Sequence, residues 1–452
     1  MKSIEAVELA ISKINSIDNS NYCLNSVIEI DREALKLADQ YDKSEIELPL
    51  QGLPILVKDN IESMRLPATA GSLALKNTPV TKDASLVTRL RSAGAIILGA
   101  TNLSEWANIR SSKSTSGWSA VGGLTANPWK HQHSAGGSSS GSGAAVAAGL
   151  TQWAIGSETD GSIICPASLN GCVGIKPTVG VIPRDGMIPI SSSQDSAGPI
   201  THTVAQAAIL LDVLSNSSQY HAFIEKDHEI RYGFVSSWLT TNLGVDSLFE
   251  TTLKILRHNG IKLVEVNLEP PTDEVHQDEL KVLLYELYQG LGEYLAQRPG
   301  SKVLSLEDII HFNNEYNSEE LVHFNQDLFE EAIEISKKRD LYLEARRRNL
   351  NWAEKTLRAG MENVDVLIGC TYGPAWLSSL GAGDSIASSS WITTAPAIAG
   401  TPIGTIPMGL VDGLPVGLGF VVRRNEELKL VKAMSQVEKL LGIGSLTPTF
   451  IK

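Results

Sequence analysis

Lys58, Ser138 and Ser162 are the residues whose types and settings allow chemistry in common. Lys58 follows the apolar run 53–57, Ser138 lies inside the Gly/Ser run 136–143, and Ser162 closes the turn in Gly156-Ser157-Glu158-Thr159-Asp160-Gly161-Ser162. A serine hydroxyl is a weak nucleophile until a base takes its proton, and a lysine is a base near neutral pH only where burial disfavours its ammonium form. A lysine just after an apolar strand is well placed for that desolvation. The turn 159–162 offers the other requirement of acyl transfer, main-chain N–H groups converging on a carbonyl oxygen, with Gly161 permitting close approach. Each feature also has a plainer reading. Lys58 can pair with Asp59, Asp160-Gly161 is a common turn dipeptide, and an isolated Gly/Ser run is most simply a tether.

The elements around these residues favour a site. Residues 53–57 and 95–98 read as strands on either side of a helix over 84–92, which Asp83 is placed to cap, and Asn102 starts a further short helix. The Gly/Ser run leads into a small-residue helix over 144–149, a strand over 153–155 and a second Gly/Ser turn over 157–163. A loop held between regular elements is better placed for function than for tethering. A helix follows over 203–214, and strand, helix, strand over 231–235, 248–258 and 261–266 form a βαβ unit. Residues 278–363 read as helical, with their charges on solvated faces. Strands over 364–369, 403–407 and 416–421 and a helix over 426–441 complete the pattern. The alternation gives an α/β fold in which early and late strands share one sheet, in a single domain over 1–452.

Composition limits the partners. With 452 residues, 42% hydrophobic and 20% charged, the chain has the make-up of a globular protein. Its net charge of −13 repels polyanions, which excludes general nucleic-acid binding. No apolar stretch approaches the roughly 20 residues of a membrane span. At the N-terminus, Ile4, Val7, Ile11 and Ile14 share a helical face that Glu5 and Glu8 keep from being a signal sequence. Four scattered cysteines, Cys23, Cys165, Cys172 and Cys370, suit a reducing cytoplasm better than a disulfide framework.

Six segments together resemble the amidase signature family, closest in motif to peptide amidases. They are GLPILVKDNIE (52–62), AGAIILGATNLSEWAN (93–108), GGSSSGSGAAVAAG (136–149), GSETDGSIICPAS (156–168), GIKPTVG (174–180) and SSSQDSAGPITHTVAQAAILLDVL (191–214). The likeness runs through most of the chain, and residues 215–360 carry little of it, as a variable, largely helical, substrate-shaping region would. The resemblance implies a central mixed, twisted sheet flanked by helices on both faces. It also implies a Ser-cisSer-Lys triad: Ser162 as nucleophile, Ser138 after a cis bond from Gly137 as proton shuttle, and Lys58 as base. The N–H groups of Thr159, Asp160, Gly161 and Ser162 would receive the oxyanion, Ser138 would protonate the leaving amine, and water would release the acyl group. Asp59, Asn60, Ser139 and Asp195 are candidates for supporting the site. No metal or organic cofactor is implied.

Many members of that family carry an Arg two residues after the nucleophile, where it meets an anionic substrate group; here the position is Ile164. Asp160 stands where Gly is more usual. Both features lean towards a neutral or hydrophobic carboxamide, including a peptide C-terminal amide, as substrate of a monomer or homo-oligomer. The alternatives are a transamidase like the A-subunit of an amidotransferase, working with partner chains, and a non-catalytic small-molecule binding module on the same scaffold. Other signals are set aside. Gly136 and Gly141 have phosphate-loop spacing without the required Lys, His131 and His133 lack further zinc ligands, and Cys165 has no basic partner. Trp106, Trp118, Trp153 and Trp391 could line a pocket, though packing is the commoner fate of such residues.

Overall fold

Eleven strands from both ends of the chain hydrogen-bond into one sheet in this computed structural model, which describes residues 2–19, 23–386, 388–443 and 446–448. In chain order the strands are β1 (Val27–Ile30), β2 (Pro54–Lys58), β3 (Ile96–Thr101), the short hairpin β4 (Trp118–Ser119) and β5 (Gly123–Leu124), β6 (Trp153–Glu158), β7 (Val173–Lys176), β8 (Ser196–Thr201), β9 (Tyr232–Val235), β10 (Leu263–Val266), β11 (Val366–Cys370), β12 (Ile403–Val411) and β13 (Leu414–Val421). The sheet order is β1-β3-β2-β6-β8-β7-β12-β13-β11-β9-β10, with the hairpin apart. Strand β2 runs parallel to both β3 and β6, and β9 runs parallel to both β10 and β11. The pairs from β6 through β8, β7, β12 and β13 to β11 are antiparallel. The sheet is therefore mixed, as expected.

Helices cover both faces because the central strands are apolar on both. In β2, Ile55 and Val57 join the core formed with the helices Ser85–Ser92, Val204–Ser215, Leu243–His258 and Glu427–Leu441. Leu56 points the other way, into the core shared with Ser3–Lys13, Ala34–Asp42 and Ser140–Ala147. The two-residue period of a strand then sends Lys58 towards the Leu56 side, where the Ser140–Ala147 helix and the loop before it lie.

Several sequence expectations change in detail. Asp83 does not cap Ser85–Ser92, which makes no side-chain cap bond; its carboxylate accepts from Met64 N and pairs with Arg91. Asn102 does not start a helix. It is a buried hub, donating to Asn25 O, Gly123 O and Thr125 Oγ1 and accepting from Ser119 Oγ, and a 3-10 turn follows only at Glu105–Asn108. Competition from main-chain carbonyls brought close by the fold draws the Asn side chain out of a capping role. The small-residue helix expected over 144–149 begins earlier, inside the Gly/Ser run, at Ser140–Ala147, and is buried along its whole length.

The region 278–363 is helical, in Asp273–Gln297, Leu306–Glu315, Asn317–Glu320, Asp327–Ser336 and Arg339–Gly360. Its charges are not all solvated. Asp278, Glu279, Glu286, Arg298 and Glu320 are buried, because these helices pack against the loops of the sheet as well as against water. No helix among the described residues is long and apolar enough to cross a membrane.

Candidate active site

Lys58 ends β2 with its side chain completely buried. Its Nζ lies 2.7 Å from Ser138 Oγ, 2.9 Å from Ser157 Oγ and 3.2 Å from Ser157 O. Burial lowers its pKa from 10.5 to about 7, and the charges of Asp195 and Glu158 only partly oppose that shift. A carboxylate in salt-bridge contact would hold the amine charged; among the described residues Lys58 makes no such pair, with Asp59 or any other acid. The amine can therefore lose its proton near neutral pH, and its neighbour is a hydroxyl.

Ser138 follows a cis peptide bond from Gly137. It is fully buried, and its carbonyl accepts from Ser104 N at 3.1 Å. Ser139, next in line, ties this loop to β6: its Oγ accepts from Ser157 N at 3.1 Å and donates to Ser157 O at 3.0 Å. Gly156 makes the approach feasible, since a Cβ there would stand 2.7 Å from Ser139 Oγ. Ser139 N also donates to Ser162 O at 3.1 Å, which brings the two Gly/Ser loops together. Ser162, unlike Ser138, is partly open to solvent.

Glu158 shapes the turn around Ser162. Its buried Oε2 accepts from Ile163 N at 2.7 Å and Ile164 N at 2.9 Å, at the start of the Ile164–Asn170 helix. A carboxylate there satisfies the otherwise unpaired first N–H groups of the helix. Among the described residues, none of the N–H groups of Thr159, Asp160, Gly161 and Ser162 is used by the fold. Gly161 has φ +74°, and a Cβ on it would lie 2.4 Å from Tyr372 Oη. These N–H groups are thus available to an oxyanion.

The supporting candidates divide. Asp195 is buried and accepts from Thr159 Oγ1 at 2.6 Å and from Ile190 N and Ser191 N at 2.9 Å, so it fixes one end of the turn. Asn60 Nδ2 donates to Ser157 Oγ at 2.9 Å and so orients a partner of Lys58. Asp59 faces away, accepting from Thr69 N and Thr69 Oγ1, and burial raises its pKa to about 6. Cys165 is a packing residue whose thiol burial pushes far up. Trp106, Trp118 and Trp153 are buried; Trp391 is partly exposed and meets Trp238 edge-on at 5.6 Å. No group of three or more His, Cys, Asp or Glu among the described residues could hold a metal.

Residue reading missed Ser157, Glu158, Tyr372, Thr393, Glu279 and Glu286. Ser157 and Glu158 lie in a segment already singled out, and an acid just ahead of a short helix was the available signal for Glu158. Tyr372 and Thr393 reach the turn 160–161, and Glu279 and Glu286 the loop 191–194, all from distant elements that leave no local pattern.

A mixed sheet with helices on both faces, carrying a buried amine against a serine loop and a turn whose N–H groups the described fold leaves unused, defines the class of amide hydrolases to which the comparisons point. The family model described as Amidase matches residues 5–431, and the chain belongs to that family. It is an amide hydrolase. The chain is 36% identical to a probable amidase of Arabidopsis thaliana, over 100% of this chain and 89% of that one. It is 31% identical to the A-subunit of glutamyl-tRNA(Gln) amidotransferase from Tropheryma whipplei, over 98% and 88%. Among solved structures it resembles native peptide amidase from Stenotrophomonas maltophilia, with TM-score 0.92, 38% identity and coverage of 100% and 96%. The peptide amidase PAM bound to the competitive inhibitor chymostatin gives TM-score 0.93 at 38% identity, with the same coverage.

Proposed function

We propose that this protein hydrolyses neutral or hydrophobic carboxamides, peptide C-terminal amides among them, through a Ser162–cisSer138–Lys58 triad and an acyl-enzyme. The observation that carries the reading is the fully buried Lys58 amine, with a pKa of about 7, 2.7 Å from Ser138 Oγ. Neutral Lys58 takes the proton of Ser138 as Ser138 takes that of Ser162, whose Oγ bonds to the carbonyl carbon. The oxyanion is held by the N–H groups of residues 159–162, and Ser138 protonates the departing amine. Water then cleaves the ester, returning Ser162 and the carboxylic acid. Residues 1–452 act as one domain, with 215–360 shaping the substrate. The enzyme works as a monomer or homo-oligomer in the cytoplasm, a setting that a chain with only four scattered cysteines suits.

Ammonia release from a panel of peptide amides and simple amides tests the reading, and silence across the whole panel refutes it. Labelling by a fluorophosphonate, lost in Ser162→Ala, identifies the nucleophile. Similarity to the amidotransferase A-subunit favours a second reading, glutamine-dependent transamidation with partner chains. Against it stands Ile164, which supplies no guanidinium for a substrate carboxylate. Co-purifying partners and glutamine-dependent amidation of an acceptor would decide for it.

A further inference from the structure

Arg346, Arg358, Arg423 and Arg424 line a cleft of about 670 Å³ whose walls include neither Lys58, nor Ser138, nor any of residues 157–162. In a chain of net charge −13, that is a local excess of cations. Arg346, Leu350, Glu354 and Arg358 follow at four-residue intervals on the Arg339–Gly360 helix, so they share one face. Arg423 and Arg424 lie on the chain just past β13, and Thr401 adds a hydroxyl to the lining. Among the described residues Glu354 is the one acid on these walls, and it makes no ion pair with any of the four arginines.

The fold uses these arginines unequally. Arg346 Nη1 donates to Ile398 O at 3.0 Å, and Arg424 Nη1 to Ala399 O at 3.1 Å. Those carbonyls end the Thr394–Ala399 helix, so both side chains have the plain duty of capping a C-terminus. Arg423 is engaged by Val364 O at 3.0 Å and by Glu426 at 3.5 Å. A bond to a carbonyl leaves a guanidinium its charge and its other donors. Arg358 has no such duty: among the described residues it makes no hydrogen bond, ion pair or ring contact. A solvated surface arginine would explain Arg358 alone. It does not explain Thr401, which is only 6% exposed and whose Oγ1 is buried without a hydrogen-bond partner. Buried hydroxyls are ordinarily paired, and one left unpaired on the wall of a cationic cleft is completed by a ligand oxygen.

Guanidiniums with donors to spare and an unpaired hydroxyl call for a compact group with several acceptor oxygens and more than one negative charge. A phosphate meets both demands, and the planar guanidinium fork matches its oxygens. A single carboxylate would leave most of the positive charge uncompensated. The cleft is larger than a lone phosphate; Leu350 and Leu357 wall it with aliphatic surface, and among the described residues no aromatic side chain lines it to stack a base. We propose that this cleft is a binding site for the phosphate or diphosphate group of an aliphatic small molecule, held by Arg346, Arg358, Arg424 and the Thr401 hydroxyl. The site stands independently of which serine is the nucleophile.

Isothermal titration of the full chain with glycerol 3-phosphate, pyrophosphate, adenosine 5′-monophosphate and acetate, at constant ionic strength, tests the site. Glycerol 3-phosphate and pyrophosphate should bind saturably, and acetate should not. Arg358→Ala should weaken that binding roughly ten- to a hundredfold, the span of a hydrogen bond between charged groups. Arg358→Lys should recover only part of it, because an ammonium lacks the fork. Since Arg358 has no partner in the fold, its loss reads on the ligand rather than on folding. Thr401→Val, which exchanges the hydroxyl for a methyl of similar size, should weaken binding severalfold while the melting temperature without phosphate holds. Absence of saturable heat from either phosphate up to about 10 mM overturns the proposal. So does equal affinity in the wild-type protein, Arg358→Ala and Thr401→Val, which puts the anion elsewhere, the turn 159–162 included. Adenosine 5′-monophosphate binding roughly tenfold tighter than glycerol 3-phosphate overturns the aliphatic assignment, and acetate binding as well as either phosphate overturns the phosphoryl one.

Discussion

At the residue scale the proposed chemistry turns on the protonation of Lys58. Its pKa of about 7 lies below the ordinary 10.5 because burial penalises the ammonium. In the proposed mechanism the neutral amine is the base, so activity should rise with pH through about 7 and level off above, falling about tenfold per pH unit on the acid side. A rate profile that stays flat from pH 5.5 to 8 would separate Lys58 from the rate-limiting proton transfer. Lys58→Met should lower kcat by about 10³-fold, within the span of a general base, with fold retained by circular dichroism. Gly161→Ala should also lower kcat, because its Cβ would meet Tyr372 Oη at 2.4 Å and φ +74° disfavours any side chain. Its KM should change less, since in the proposed mechanism the displaced N–H groups serve the transition state more than the ground state.

At the element scale, the Asp273–Gln297 helix holds the loop 191–195, which in turn holds the turn 159–162 proposed to receive the oxyanion. Glu279 and Glu286 lie seven residues apart on one face. Glu279 accepts from Gln194 Nε2 at 2.9 Å, and Glu286 from Ser191 Oγ at 2.6 Å and Ser193 N at 2.9 Å. Tyr342, on Arg339–Gly360, donates to the other Glu286 oxygen at 2.9 Å. Asp195 ends that loop and binds Thr159. Glu286→Ala should therefore reduce kcat by roughly ten- to a hundredfold without touching substrate, the size expected of a misplacement near 1 Å. Glu286→Gln, which keeps an acceptor, should restore most of it. Equal loss in both variants would mean that charge, not position, is what Glu286 supplies.

For the whole molecule, the buried Arg110 joins the early part of the chain to the helical region. Its guanidinium bonds the Glu105 carboxylate and donates to Glu320 O at 2.7 Å, with Glu320 Oε2 at 3.3 Å. Glu320 in turn accepts from Leu73 N at 2.6 Å and Ser72 Oγ at 2.9 Å. Removing the one cation leaves two buried carboxylates facing each other, so Arg110→Ala should destabilise by about 3–5 kcal/mol, read as a lower denaturant midpoint. A shift below about 1 kcal/mol would show that water or a proton replaces the guanidinium.

The sequence alone determined the groups that can react and the strands that carry them, because both are written locally. An apolar run ending in Lys58, a Gly/Ser loop before a small-residue helix, and a Gly turn before Ser162 need only neighbouring residues to be recognised. Capping by Asp83 and a helix start at Asn102 were misread for the same reason: local pattern names a residue's capacity, and tertiary contacts choose among its partners. Only the tertiary structure decided that Lys58 meets Ser138 and Ser157 rather than Asp59, that acids of a charged helix are buried against the loop 191–195, and that Asp160 keeps an oxygen without a donor. Burial and hydrogen-bond satisfaction depend on what distant segments bring to a side chain, and no spacing along the chain records that.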